Sequence, residues 1–159
     1  MLEWLAQSSY SEWVRESWGW AMALTVHAFG NGIVVGLNLL IAMRVLGLFR
    51  TIPYASLSKL FPYIWTGVAL QFLSGGTLWM SKPDRYVTDG VFDVKFTLVI
   101  LGIITTVYFQ KTIQSESGNW QSAGRVTKRG TQLAAAAVLV WSGVIIMGRL
   151  TAYLGALYI

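Results

Sequence analysis

Charge disappears from this chain over long stretches. No charged residue occurs between Glu16 and Arg44, and none between Lys59 and Lys82. A third apolar block runs from about Val91 to Gln110, with Asp93 and Lys95 near its start. A fourth follows Arg129 and reaches Ile159, interrupted by Arg149 alone. A helix needs about 20 apolar residues to cross hydrocarbon, whereas a transmembrane barrel strand alternates over only about 10. Within lipid, a helix also satisfies its own backbone hydrogen bonds. The pattern predicts an all-α four-helix transmembrane bundle in one domain, with spans at about 18–44, 60–81, 91–110 and 132–157.

The connections predicted between these spans are short. Residues 45–60 join the first two, with Pro53 breaking any continuous helix. Pro62 falls in the first turn of the second span, where a missing N–H costs little. Residues 81–90 form the next link, and 111–130 the one long polar loop. No internal repeat or low-complexity tract is visible. The opening segment, 1–17, reads as interfacial. Trp4, Trp13, Trp18 and Trp20 suit an aromatic belt, and Ser9-x-x-Glu12 has the form of a capping box from which a helix would run into the first span. Residues 1–8 read either as a short helix lying on the membrane or as a tail anchored by tryptophans.

Composition agrees with a lipid environment. Hydrophobic residues make up 55% of the 159 and charged residues 12%, roughly half the charged share of soluble domains. The net charge of +5 is spread as single basic residues, with no basic patch interleaved with aromatics, so nucleic acid is not an expected partner. Its distribution instead sets orientation. Arg44, Arg50, Lys59, Lys111, Arg125, Lys128 and Arg129 gather on one side. Arg15, Lys82, Arg85 and Lys95 lie on the other, among Glu3, Glu12, Glu16, Asp84, Asp89 and Asp93. The richer side is expected in the cytoplasm and both termini outside it. Residues 1–17 lack the basic start and apolar core of a secretory signal, so the first span is expected to act as its own insertion signal. There is no cysteine, which excludes disulfides, thiolate metal sites and covalent c-type haem.

Ionisable residues inside a span are costly and need a reason. His27, Lys95 and Arg149 are the three. Counted from the cytoplasmic ends of their helices, all three fall roughly 22–26 Å up, in the outer half of the bilayer. Gln71, Ser74, Gly75, Gly76 and Thr77 of the second span lie at a similar height. On the first span His27, Asn31 and Asn38 form a polar stripe, while Ala28, Gly32 and Gly36 form a small-residue face suited to close helix packing. Ser142, Arg149 and Tyr153 share a face of the fourth.

Two readings of these residues stand side by side. Either His27 fixes packing through Asn31 or a facing helix and Lys95 snorkels to the interface, or the group holds a cofactor. A haem b needs an axial imidazole and cations for its propionates, which His27 (as the iron ligand), Lys95 and Arg149 would supply. With one histidine in the chain, the iron would be five-coordinate, paired through Met147, or ligated from another subunit. The same cluster, with Asn31, suits a quinone carbonyl or a lipid phosphate. No phosphate loop, paired carboxylates or Cys/His metal spacing occurs, so a standalone enzyme is not expected.

The run HAFGNGIVVGLNLLIAMRVLG, residues 27–47, resembles a motif of a family of small four-span bacterial inner-membrane proteins with no defined activity. His27, Gly30, Gly36, Arg44 and Gly47 match in register, while Ala42 and Met43 replace that family's Asp and Leu. The likeness continues through Pro62, Trp65 and Gly75, through Lys95, and through Gly148 and Arg149. It implies the same four-span fold in a bacterial inner membrane. The functional expectation is a small subunit of a respiratory or photosynthetic electron-transfer assembly, holding a haem, quinone or pigment, with lipids and other membrane subunits or further copies of itself as partners. The alternative is an accessory subunit that packs on a larger complex without a cofactor. The charge bias makes a direct prediction: a periplasm-active reporter fused after Ile159 is active, one inserted near Ser122 is silent, and the reverse pattern overturns the orientation.

Overall fold

The computed structural model describes residues 3–83, 86 and 90–157. These are almost entirely helical, with no strand among them. Helices α1 (Glu3–Ala6) and α2 (Ser9–Glu16) precede four long ones: α3 (Gly19–Val45), α4 (Phe61–Ser81), α5 (Gly90–Ala123) and α6 (Lys128–Leu157). A 3-10 segment, Tyr54–Leu60, leads into α4. Three of the long helices carry a stretch long and apolar enough to cross a membrane: α3, α5, and Lys128–Thr151 of α6. Helix α4 is uncharged and 21 residues long, but Thr66, Gln71, Ser74, Thr77 and Ser81 dilute its hydropathy.

The amino-terminal helices depart from the expected pattern. Ser8, not Ser9, caps α2, its hydroxyl accepting from the Ser11 N–H. The chain then breaks at Ser17, so α2 does not continue into α3. Close packing explains the break: a Cβ on Gly19 would lie 2.9 Å from the Val14 Cα. Helix α2 folds back on α3 and α4, held by Ser11 Oγ donating to the Met80 carbonyl at 3.0 Å.

Helix α3 packs on α4 and on α6, and α5 packs on α6 and on the 3-10 segment. The core follows these seams: Val34, Val35, Ile41, Phe61, Ile64, Phe109, Ile113, Ala137 and Trp141 are buried together. Glycines set how closely the helices approach. Gly30 and Gly67 face each other where α3 crosses α4, and an ideal Cβ on Gly67 would fall 2.8 Å from Val34 Cγ2. Gly102 of α5 receives the Trp141 indole of α6, whose Cζ2 would be 2.9 Å from an added Cβ. The small face predicted at Ala28, Gly32 and Gly36 is not a packing seam: all three are exposed, and nothing lies within 4 Å of a Cβ added to either glycine. The seam uses Gly30 because the α3 face toward α4 also carries His27 and Val34, one helical turn to either side.

The long polar loop expected over 111–130 is mostly helix. Helix α5 continues to Ala123, and Gly124 turns the chain with φ 65°. The sequence KTIQSESGNWQSA contains no proline to stop it, and Trp120 anchors the extension. Its ring is buried, meets Tyr54 edge-on at 5.7 Å, and fills the space over Gly130. Trp120 Nε1 donates to Glu116, which also accepts from Thr127 Oγ1. Beside this knot Arg44 is only 5% exposed. It donates to the carbonyls of Ile52 and Arg50 and lies 3.8 Å over the Tyr54 ring.

Two glycine substitutions should separate these roles. Gly102→Ala must displace a buried indole, which costs roughly 1–3 kcal/mol and lowers the thermal midpoint in detergent. Gly36→Ala meets open space and should match or exceed the wild-type midpoint, since alanine favours helix by up to about 1 kcal/mol. Equal destabilisation by both would show that the exposed face is packed.

Candidate functional site

Hydroxyls in the long helices largely bond to their own backbone. Thr66, Ser74, Thr77, Thr97, Thr105 and Thr151 each donate to the carbonyl four residues earlier. Side chains that cross between helices are therefore informative. Midway along the bundle, Asn38 Oδ1 accepts from Thr106 Oγ1 at 2.9 Å, joining α3 to α5 with both residues buried. Nearer the 3-10 segment, Trp65 Nε1 donates to Gln110 Oε1 at 2.9 Å, joining α4 to α5.

His27 is the centre of the third crossing. Its Nδ1 is 3.0 Å from Ser74 Oγ, and Gln71 Nε2 donates to the His27 carbonyl at 2.7 Å. Because Ser74 Oγ already has the Leu70 carbonyl as acceptor at 2.6 Å, the hydroxyl proton is committed there, and Nδ1 is best placed to carry its own proton toward Ser74 Oγ. That leaves Nε2 as the acceptor nitrogen. The ring lies over Gly75, where a Cβ would come within 3.3 Å of Cε1. Gly75 is thus a positional requirement for the imidazole.

Lys95 comes from α5 on the opposite side. It is half-buried, and its side chain runs along Gly148 of α6, Cε lying 3.6 Å from where a Cβ would stand. Its charge is close enough to His27 to interact with it. Apart from the Trp65–Gln110 bond, α4 and α5 approach each other little among the described residues. Among the described residues Lys95 makes no hydrogen bond or ion pair. Asp93, two positions away, is exposed and offers only its carbonyl, to Thr97.

Three of the expected site residues form no side-chain hydrogen bond or ion pair with these two among the described residues. Arg149 is exposed and has no hydrogen bond or ion pair among the described residues. It shares the height of Lys95, but Gly148 is the residue that faces the lysine, and Arg149 is turned about 100° from it. Met147 is half-buried, and its backbone carbonyl accepts from Thr151 Oγ1. Asn31 is half-buried on the His27 face with no side-chain hydrogen bond among the described residues. No set of His, Cys, Asp or Glu suited to a metal ion occurs among the described residues. Sequence reasoning missed Gln71 and Ser74 as direct partners of His27, having placed them by height alone. Arg44 was also missed as a clamp; its place next to a turn with Gly47 at φ 104° was the available signal.

Comparison with protein families, curated proteins and solved structures finds no match to this chain. The site's chemistry must therefore be argued from its groups. An acceptor imidazole nitrogen and an ammonium without a partner among the described residues suit a ligand that brings a hydroxyl donor for the first and an acceptor oxygen for the second.

An unpaired ammonium away from water is destabilising. Lys95→Met keeps the stem and removes the charge, and should raise the thermal midpoint of the ligand-free protein by an amount equivalent to about 1–3 kcal/mol. A fall instead would show that Lys95 has a stabilising partner.

Proposed function

We propose that this chain is a small four-span protein of a bacterial inner membrane, with both termini on the non-cytoplasmic side. In this reading it serves as a subunit of an electron-transfer assembly and holds a quinone-type carbonyl ligand between α4 and α5. The observation that carries the proposal is Lys95, a half-buried ammonium without an anionic partner among the described residues, set across from His27. A quinone carbonyl accepts from an ammonium, and its ring and tail suit an apolar opening toward lipid. The uncharged length of α4 supports a fourth crossing, and the excess of Lys and Arg at the α3–α4 and α5–α6 links supports the orientation. The likeness of residues 27–47 to small bacterial inner-membrane proteins belongs to the same proposal.

His27 also bears on haem. Its Nδ1 is engaged by Ser74, so iron would bind through Nε2, and Lys95 would be the cation for a propionate. Arg149, turned outward, does not complete that set in a single chain. The geometry therefore favours the quinone.

A second reading, an accessory subunit without a cofactor, is favoured by the exposed α3 face. Gly32 and Gly36 line an apolar groove of about 450 Å³ with Ile33, Leu37, Leu60, Tyr63 and Thr66. The two readings separate on extraction. Protein purified from native membranes in mild detergent should yield co-purifying quinone by solvent extraction and chromatography, with no Soret band in its oxidised or dithionite-reduced spectrum. Lys95→Met should reduce the quinone recovered by about tenfold. Equal recovery from wild type and variant, with assembly intact, would leave only the accessory role.

A further inference from the structure

A second cluster of cations lies at the C-terminal end of α4, about two helical turns beyond Ser74, the partner of His27. Arg15 of α2, Ser17, Trp20 and Ala21 at the start of α3, and Lys82 just after α4 line a cavity of about 320 Å³. Arg15 is held in place rather than free. One nitrogen, Nη1, donates to the Ala6 carbonyl at 2.6 Å and to the Ser81 carbonyl at 2.8 Å. Its Nε and Nη2 donors have no acceptor among the described residues. Lys82 is exposed, with Nζ 5.0 Å from the centre of the Trp20 ring, which positions the ammonium without neutralising it. Glu12 and Glu16, the nearby acids, are exposed and do not line the cavity.

The start of α3 adds to these two charges. Its cap residue, Trp18, offers no side-chain acceptor, and Ser17 Oγ, which donates to the Trp13 carbonyl, accepts from just one of the first N–H groups, that of Gly19. The N–H groups of Trp20 and Ala21, both on the cavity wall, have no acceptor among the described residues. Two cations and two backbone donors around one space make a receptor for a tetrahedral anion, since each oxygen finds a separate donor.

We propose that this cavity binds a phosphate group, and that its source is the headgroup of an anionic phospholipid in the outer leaflet. The choice of source rests on the membrane reading above: the cavity lies where α3 begins and α4 ends, among Trp4, Trp13, Trp18 and Trp20, at the level of the lipid phosphates. The bound headgroup then ties α2 to the ends of α3 and α4, completing the contact that Arg15 begins.

The test uses the full chain, delipidated in neutral detergent, with retained molecules counted by native mass spectrometry. Phosphatidylglycerol, phosphatidylcholine and inorganic phosphate are the probes. Wild type should retain phosphatidylglycerol in preference to phosphatidylcholine, and Lys82→Gln should weaken that retention about tenfold. Lys82 is exposed, so this variant keeps the fold; Arg15→Lys, which keeps the charge and loses the fork, should also weaken it. Retention of inorganic phosphate alone, lost in the same variants, would support the anion site with a free-phosphate source. Equal retention by wild type and both variants would overturn it. Flotation with pure phosphatidylcholine vesicles reads the membrane reading separately: a chain that fails to float sinks that reading, whereas one that floats yet neither prefers phosphatidylglycerol nor retains inorganic phosphate sinks the cavity alone.

Discussion

The organising constraint is that a polar group held away from water must find its partner within the protein. In the long helices most hydroxyls meet this need locally, by donating one turn back along their own backbone. That solution is cheap and carries no information about neighbouring helices. The few side chains that reach across are the ones that define the bundle: Asn38 with Thr106, Trp65 with Gln110, and His27 with Ser74. Each such bond fixes the rotation of two helices at once, which apolar contacts alone leave loosely determined.

Those bonds are distributed unevenly, and so is the packing. At one end the chain ties a knot in which Arg44, Tyr54, Trp120 and Gly130 follow one another in contact, and the 3-10 segment packs on both α4 and α5. Buried charge is tolerated there because Arg44 is surrounded by carbonyls and an aromatic face. At the other end His27, Ser74 and Gln71 join α3 to α4, while Lys95 of α5 runs along Gly148 of α6.

The helices were legible in the sequence because uncharged length is a direct statement about solvent. Heights along each helix follow from the constant rise per residue. Direction was not legible. One residue along a helix turns the side chain by about 100°, and that separates Gly148, against Lys95, from Arg149, which is exposed. The choice between the Gly30 and Gly32 faces failed to be legible for the same reason, since either could have served as a seam until the partner glycine at 67 was known. The extension of α5 was hidden differently. A polar stretch reads as loop when taken alone, and only the burial of Trp120 over Gly130 shows that tertiary contact holds it helical.

Lys95 brings these threads together. Methionine or leucine at that position would pack along Gly148 as well as the lysine stem does, and without the cost of a charge removed from water. Nothing described around it repays that cost: Asp93 forms no ion pair with it, and His27, which its charge reaches, is itself basic. A residue that only served packing would be poorly chosen. An ammonium in such a place makes physical sense when an acceptor arrives from outside the chain.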